Sequence, residues 1–361
     1  MLTRFCKFSE AVLGKTPLFV IGSGLSMSAG VSGMSALATW LGQNVQADPH
    51  DLETWDGVQR RLSEKVGLEQ ALLQAGPSVS LGLREAIIQQ TWRLITKDER
   101  SPLLKIANDQ DLTGFRHLLE RFAFSTNNNL HVVTTNYDHL IEWSASMAGW
   151  PVWDGFDLGH VAKPISNEDW GARMSRVVFH GRRTSAEPVR HLRLYKLHGS
   201  LSWFRLPDGK LIKIPGVSEG MLDQLTSQGF LPAIVTPGTD KYLETHSQPY
   251  FSIFSEMHSA IQAATAIIFV GFGFNDLHIQ GGLEQKLRDR NVSKVMLSMQ
   301  LSDPLRSILQ GGGIQNFVAV EQAAAGGSYI RSDHLGEGSV SSDIWNFKGF
   351  LASAWGGTNV A

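Results

Sequence analysis

The feature that most constrains the fold of this chain is an apolar strand that leads directly into a glycine-containing loop and then a helix. Residues 17–21 form a continuous apolar run, as expected for a central parallel strand that is covered on both faces. A loop with two glycines follows at once, and between residues 35 and 46 apolar side chains recur at helical spacing. Open α/β sheets that bind nucleotides begin with this order of elements.

The later apolar runs alternate with helical patterns along most of the chain. Helical spacing recurs at residues 249–264, 275–290 and 303–310. Strands separated by helices of this length predict an α/β fold with a doubly wound, parallel, Rossmann-like sheet. The further strands of this sheet are predicted at residues 130–135, 176–179, 192–197, 233–236, 266–270, 294–297 and 317–320.

Four other segments complete the predicted architecture. Residues 150–175, rich in Trp, Gly and Asp, are expected to be irregular surface, and the Gly- and Ser-rich residues 323–342 a mobile loop. A short C-terminal helix is expected near residues 343–355. From residue 51 to about 122 the pattern is helical instead. We therefore expect a single domain, residues 1–361, with an inserted helical module at residues 47–125.

Charge and cysteine content exclude several classes of function. The formal net charge is −2 and no run of Lys and Arg exceeds three residues, so direct binding of nucleic acid is not expected. The chain has no apolar run of about 18 residues and no secretory signal pattern, which predicts a cytoplasmic protein without a membrane span. The single cysteine, Cys6, excludes an intrachain disulfide framework and a four-cysteine zinc site.

Gly22, Ser23, Gly24 and Ser26 lie in the loop after the first strand. Backbone amides in this position can hold a pyrophosphate, because glycine lets a ligand approach the backbone closely. The third glycine of the dehydrogenase fingerprint is replaced by Met27, which disfavours a hydride-transfer enzyme. The alternative is a tight turn between strand and helix that binds no ligand.

Polar side chains follow the second predicted strand at its carboxyl end. Thr135, Asn136 and Asp138 lie at the edge where open α/β sheets bind their ligands. An amide and a carboxylate two residues apart can orient a ribose and an attacking water. The alternative is a turn in which these side chains cap a helix that begins near His139.

His198 also follows an apolar strand, and Gly199 and Ser200 come directly after it. A histidine at such a strand end can accept the proton of a ribose hydroxyl, so its position favours a catalytic role. Most histidines in proteins are surface residues or hydrogen-bonded core residues, and that is the alternative interpretation.

Gly271, Phe272, Gly273 and Asn275 close the strand at residues 266–270. The two glycines would let a ribose or an adenine approach the backbone, while Asn275 or Asp276 would cap the next helix. The alternative is a capped helix without a ligand.

Taken in chain order, these segments resemble the sirtuin-like family across nearly the whole catalytic core. The first is similar to the family's Gly-Ala-Gly-Ile-Ser loop, and the second to its Gln-Asn-Ile-Asp segment. The matching segments are Gly22-Ser-Gly-Leu-Ser26 with Gly30 and Val31, Thr135-Asn-Tyr-Asp-His-Leu140 with Ala148 and Gly149, Leu197-His-Gly-Ser200, and the strand that ends at Gly271.

The chain also departs from the pattern of the family's protein deacylases. Ser32 replaces the proline of the first loop, the Phe-Arg pair that follows it is absent, and the paired Cys-x-x-Cys zinc module has no counterpart. The motifs Thr-Thr-Asn-Tyr-Asp and Gly-Phe-Gly-Phe-Asn-Asp are instead similar to those of the zinc-free bacterial branch of the family, which hydrolyses NAD in antiphage defence.

The resemblance implies an NAD hydrolase that uses NAD as a substrate and needs no metal. The pyrophosphate would lie on residues 22–26 and the adenosine near Gly271 and Gly273. Asn136 would then position water and ribose, Asp138 would steady its loop or the ribose, and His198 would act as the general base.

The resemblance also implies control by assembly, since an unregulated NAD hydrolase would harm its own cell. A homo-oligomer is expected, with a HerA-type ring ATPase or a short Argonaute as a possible partner. Two alternatives stay open: an NAD-dependent protein deacylase and a non-catalytic module that senses a nucleotide.

Overall fold

The computed structural model describes residues 1–181, 183–236, 248–275 and 277–356. The helices are α1 (Leu2–Gly14), α2 (Ser23–Ser28), α3 (Met34–Asn44), α4 (Leu52–Ser63), α5 (Leu68–Ala75), α6 (Leu81–Ala107), α7 (Phe115–Phe122), α8 (Leu140–Met147), α9 (Asn167–Arg173), α10 (Glu219–Ser227), α11 (Tyr250–Ala263), α12 (Leu277–Arg288), α13 (Asp303–Gln310) and α14 (Phe347–Ala354). The strands are β1 (Leu18–Ile21), β2 (Asn129–Thr134), β3 (Val152–Trp153), β4 (Ser175–His180), β5 (Arg183–Pro188), β6 (His191–Lys196), β7 (Gly199–Arg205), β8 (Leu211–Lys213), β9 (Leu231–Ile234), β10 (Ala266–Val270), β11 (Ser293–Leu297), β12 (Phe317–Gln322), β13 (Ser328–Ser332) and β14 (Gly336–Val340).

A nine-stranded sheet with the order β14–β13–β12–β11–β10–β1–β2–β6–β3 forms the centre of the fold. Every pairing from β12 to β3 is parallel, whereas β13 and β14 join the β12 edge as an antiparallel hairpin. The chain first fills the side of β1 that holds β2 and β6, and then returns to add β10, β11 and β12 on the other side. The strand order therefore reverses beside β1, which confirms the predicted doubly wound α/β fold.

Successive residues of the buried strands face opposite layers. Leu18 and Val20 of β1 belong to an apolar cluster with α11, α12 and α13, whereas Phe19 and Ile21 belong to a second cluster with α1, α7, α8 and α14. Helices therefore cover both faces of the sheet, which explains why β1 is apolar throughout instead of alternating. Among the described helices, none is both long and apolar enough to cross a bilayer.

Helices α3 to α6 form a third apolar cluster with strands outside the central sheet. Leu37, Trp55, Leu72 and Ile87 of these helices share it with Phe204 of β7. Helix α7 belongs instead to the second cluster through all its buried residues. The helices of this segment thus share their core with other parts of the chain, and a module bounded at residues 47–125 stays a prediction.

Residues 176–179 do not join the central sheet, contrary to the prediction. They lie in β4, which forms a separate antiparallel hairpin with β5. Val177 and Phe179 of this hairpin are 63% and 74% exposed. The prediction was wrong because a short apolar run does not reveal whether its strand is buried.

The strand predicted at residues 233–236 also lies outside the central sheet. It corresponds to β9, which pairs antiparallel with β7 in a three-stranded sheet of order β8–β7–β9. Only residues 197 and 198 separate β6 from β7, and β7 pairs with β8 and β9 instead of with a strand of the central sheet.

Two segments that were expected to be irregular contain regular structure. Residues 150–175 include β3 and α9, and residues 323–342 include the β13–β14 hairpin. Ser328, Ile330 and Ser332 of β13 are buried. The glycines of residues 323–342 lie at turns of this hairpin instead of in a mobile loop, since Gly327 and Gly336 have φ values of +72° and +81°. The predicted C-terminal helix is confirmed by α14.

Replacement of Ile330 by Ala tests the assignment of β13 to the sheet. Ile330 is fully buried in the second cluster, so we expect Ile330→Ala to lower the free energy of unfolding by about 2–5 kcal/mol. The exposed Ser339 of the same hairpin supplies the control, and Ser339→Ala should stay within about 0.5 kcal/mol of the unmodified chain in urea titrations. Equal effects of the two replacements would contradict the assignment.

Candidate active site

A cavity opens at the carboxyl ends of β1, β2, β6 and β10, beside the point where the strand order reverses. Open α/β sheets bind their ligands at this place. Ten of the twelve predicted site residues line the cavity, and Gly24 and Gly271 do not. The ten are Gly22, Ser23, Ser26, Thr135, Asn136, Asp138, His198, Phe272, Gly273 and Asn275.

Gly22 and Gly24 pack backbone to backbone against Gly271. A Cβ on Gly22 would lie 2.3 Å from the Gly271 carbonyl oxygen, and one on Gly24 would lie 2.6 Å from the Gly271 Cα. The Gly22 and Gly24 amides donate to the carbonyls of Val270 and Gly271, at 3.0 and 3.1 Å. The contact between the two strand ends thus explains these glycines, and their predicted role at a pyrophosphate stays a prediction.

The loop predicted after β1, residues 22–34, is shorter in the structure, because residues 23–28 form helix α2. Gly22 caps α2 in extended conformation, and Ser23, exposed at the first helical position, lines the cavity. Ser23 is therefore the residue of this segment that offers a hydroxyl to a ligand.

Asn136 is held by its amide nitrogen. Its Nδ2 donates to the Gly22 carbonyl at 3.0 Å and to Ser26 Oγ at 2.8 Å. Since a carbonyl can only accept, the amide orientation is fixed, with the nitrogen towards Gly22 and the oxygen on the other side. The oxygen of Asn136 is then the atom left to accept a hydrogen bond from a ligand or water.

Asp138 extends the same chain of hydrogen bonds. Ser26 Oγ donates to Asp138 Oδ2 at 2.6 Å, and the Leu140 amide donates to Oδ1 at 3.2 Å. Burial raises the pKa of the Asp138 carboxyl, and the Lys196 ammonium and the Ser26 hydroxyl offset only part of that effect. The carboxyl group of Asp138 therefore joins two loops of the protein to each other.

Lys196, the last residue of β6, is a fully buried cation. Its Nζ donates to the carbonyls of Tyr137 and Asp138, at 3.1 and 2.5 Å, and to Glu142 Oε1 at 2.7 Å. All three acceptors lie on the segment that carries Asn136. A buried ammonium is tolerated because its three protons all have partners, and it fixes that segment against β6.

His198 stands on a tight turn between β6 and β7. Gly199 has a φ of +78°, and a Cβ there would lie 2.0 Å from the Ala233 carbonyl oxygen. The His198 carbonyl accepts the Val235 amide at 2.9 Å, which fixes the turn against β9. Only glycine fits after His198, and the turn directs a half-buried imidazole to the cavity lined by Asn136.

The segment after β10 forms another wall of the cavity. Phe274 adopts a φ of +55°, unusual for a bulky residue, and its ring lies against those of Phe269 and Phe272 at centroid distances of 4.9 and 5.0 Å. The Gly273 carbonyl accepts a hydrogen bond from Ser302 Oγ at 2.6 Å. Asn275 is exposed at the cavity, while the alternative cap Asp276 lies outside the described residues.

The sequence did not single out the contribution of the helical segment. Leu37 of α3, Glu69 of α5 and Ile95 of α6 all line the cavity. Their helical spacing predicts only core-facing positions, so nothing in the sequence marked them. Lys196 could have been found, since a charged residue at the end of an apolar strand calls for a buried partner.

A group of potential metal ligands lies elsewhere. One ligand atom each of Asp48, His50 and Asp51 lies within 4.8 Å of the others, at the start of α4. The buried Asp51 accepts a hydrogen bond from Ser80 Oγ at 2.6 Å. This contact to the N-cap of α6 explains the burial of Asp51 without an ion.

The cavity therefore combines apolar walls with a few convergent polar groups. An amide oxygen at Asn136, an imidazole at His198 and hydroxyls at Ser23 and Thr135 share it. Such a set can hold a ring against apolar surface, orient sugar hydroxyls and accept a proton.

Replacement of Gly199 by Ala tests why glycine follows His198. Gly209, with a φ of +84° and open space around it, is a matched control for left-handed strain. We expect Gly209→Ala to lower the free energy of unfolding by about 1–2 kcal/mol, from backbone strain alone. Gly199→Ala should lower it by at least about 1 kcal/mol more, because its Cβ also meets the Ala233 carbonyl. Equal losses in denaturant titrations would contradict the proposed contact.

Comparison with known proteins gives one family match. The family described as "SIR2-like domain" matches residues 130–314, about half of the 361 residues. No curated protein matches the chain.

Several solved structures are similar at low identity. A Sir2 homologue in complex with NAD is 13% identical, covers 88% of this chain and 87% of its own, and gives a TM-score of 0.40. Sir2Tm bound to a propionylated peptide is 13% identical, with 82% and 93% covered and a TM-score of 0.38. A mutant Sir2 homologue in complex with 2'-O-acetyl ADP ribose is 12% identical, with 95% and 94% covered and a TM-score of 0.43.

Proposed function

The chain belongs to the SIR2-like family, and from that premise we propose that it hydrolyses NAD at the bond between nicotinamide and ribose. The family relationship supports NAD-dependent activity in general. One observation supports the specific reaction: Asn136 and His198, from different strand ends, line a single cavity with the ends of β1 and β10.

In this proposal NAD lies across the carboxyl edge of the sheet. Its pyrophosphate lies near Ser23 at the end of β1, and its adenosine lies towards Phe272 and Gly273 after β10. The nicotinamide ribose then faces Asn136 and His198. The buried residues Val31 and Ile95, both in the cavity wall, offer apolar surface to the nicotinamide ring.

The reaction separates charge and then adds water. Nicotinamide leaves with the electron pair of the glycosidic bond, and an oxocarbenium-like centre forms at the ribose carbon. The Asn136 oxygen accepts a hydrogen bond from the attacking water, which turns a water lone pair towards that carbon. His198 takes the proton of the water, directly or through a ribose hydroxyl, and ADP-ribose is the product.

The hydrogen bonds of Asp138 favour one of its two expected roles. Both carboxylate oxygens already accept bonds from protein groups, Ser26 Oγ and the Leu140 amide. We therefore propose that Asp138 steadies the loop of Asn136 and does not bind the ribose.

Replacement of His198 by Ala tests the catalytic assignment. We expect His198→Ala to slow the release of nicotinamide and ADP-ribose from NAD by at least ~10²-fold, as for the loss of a general base. His160, exposed and outside the cavity lining, gives the control His160→Ala, which should retain the unmodified rate. Chromatography of the reaction mixture measures both products.

The same assay separates the competing functions. A protein deacylase would release nicotinamide only when an acylated peptide is added, whereas the proposed hydrolase needs none. A module that only senses a nucleotide would bind NAD without any turnover. Full activity of both His198→Ala and Asn136→Ala would overturn the assignment of these residues.

We further propose that this activity depletes NAD in bacterial antiphage defence, without zinc, and that assembly controls it. A homo-oligomer, with a HerA-type ATPase or a short Argonaute as a possible partner, fits that role. Light scattering on the purified chain should then give a mass that is a multiple of the 39.7 kDa protomer. A single species of protomer mass at all concentrations would contradict self-assembly.

A further inference from the structure

Helix α6 bonds to three segments that form the candidate site. Asp98 Oδ2 accepts the amide of Ser32, which lines the cavity, at 3.0 Å. Glu99, the next residue, accepts the amide of His139 at 2.9 Å. Nearer the start of α6, Trp92 Nε1 donates to the Leu201 carbonyl on β7 at 2.7 Å.

Both carboxylate oxygens of Glu99 contact His139. Oε2 accepts the backbone amide, and Oε1 lies 3.0 Å from the imidazole Nδ1. The side chains of Glu99 and His139 are only 7% and 16% exposed. A buried carboxylate that binds both the backbone and the ring of one residue fixes that residue in position and orientation.

The other ring nitrogen of His139 contacts the segment that follows His198. His139 Nε2 lies 3.4 Å from Ser200 Oγ, which in turn lies 3.2 Å from Ser202 Oγ. Glutamate, histidine and serine in this order are the groups of a hydrolytic triad. Ser200 is fully buried, however, so its hydroxyl cannot meet a substrate, and the chain of contacts is a link between segments.

We propose that Glu99 and His139 are positioning residues that hold the loop of Asn136 and the turn of His198 at the separation that NAD cleavage requires. His139 follows Asn136 by three residues, and Ser200 follows His198 by two. Small displacements of reacting groups have large effects on rate, so the pair acts on turnover more than on binding. This inference rests on the proposed hydrolase function.

The charges around His139 define how the link depends on pH. Burial, the largest effect, lowers the pKa of His139, but Glu99 and Glu142 together outweigh it and Lys196, so the pKa is raised. These groups face the imidazole from α6, α8 and β6, and Ser200 faces it from β7. Because the pKa of His139 is raised, the charged imidazole stabilises the folded state through its carboxylate partners, and this stabilisation is fully present below about pH 6.5. It is lost as the pH rises through the pKa of the folded state.

Glu99→Gln tests the proposal, because glutamine keeps the shape and the amide contact but removes the charge. We expect kcat for NAD cleavage to fall by at least ~10-fold while KM changes by less than about threefold. The alkaline limb of the kcat profile should move to lower pH by about one unit or more, because His139 loses its carboxylate partner. Arg100→Gln is the matched control, since it removes an exposed ion pair between α6 and Glu219 of α10.

Hydrogen exchange of the same variants gives a readout that does not depend on activity. Amides of residues 135–140 and 198–202 should exchange faster in Glu99→Gln than in Arg100→Gln, at pH 6 and without ligand. Unchanged kcat and pH profile in Glu99→Gln would overturn the proposal, as would a lower melting temperature with neither kinetic change. If the unmodified chain cleaves no NAD, the proposed function fails, and the exchange result alone then decides the link: unchanged protection overturns it.

Discussion

One hydroxyl group holds the candidate site together. Ser26 Oγ accepts the Asn136 amide and donates to the Asp138 carboxylate, so it joins the helix after β1 to the loop after β2. Parallel strands bring their carboxyl ends to one edge of the sheet but do not fix the loops that follow them. The buried Ser26 and Asp138 supply that constraint, and Lys196 adds a third strand end to it from β6. The position of Asn136 relative to His198 depends on this set of bonds.

The same groups show why polar residues occur in the interior here. Burial raises the pKa of Asp138, and Lys196 is enclosed with all three of its protons bonded to oxygen. Apolar residues of similar size would often give equal or greater stability, but they would remove the hydrogen bonds to the Asn136 amide and to the carbonyls of Tyr137 and Asp138. We infer that these buried charges serve the geometry of the site more than the stability of the fold. The three hydrogen bonds of the Lys196 ammonium offset part of the free-energy penalty of its burial.

The sequence predicts the sheet well where strands are buried on both faces, as in β1 and β10, because a central parallel strand covered by helices on both sides is apolar throughout. The prediction is wrong for β4 and β9, because a short apolar run can occur in a strand outside the central sheet as well as in a central strand. The strand ends that carry Asn136 and His198 could be predicted from their position. The contacts of Glu99 and the cavity-lining Glu69 could not, because helical spacing says which face is buried and not what that face meets.

Glycine in the strand-end loops has a consequence for interpreting such motifs. Gly22, Gly24 and Gly271 are each required by contact between two protein segments, with Cβ positions that would fall within 2.6 Å of backbone atoms. A motif of this kind thus identifies where two strand ends touch, and the cavity forms beside that contact because the backbones can approach there. A ligand does not need to touch the glycines for them to define its site. The polar side chains that line the cavity beside this contact include those of Ser23, Asn136 and His198.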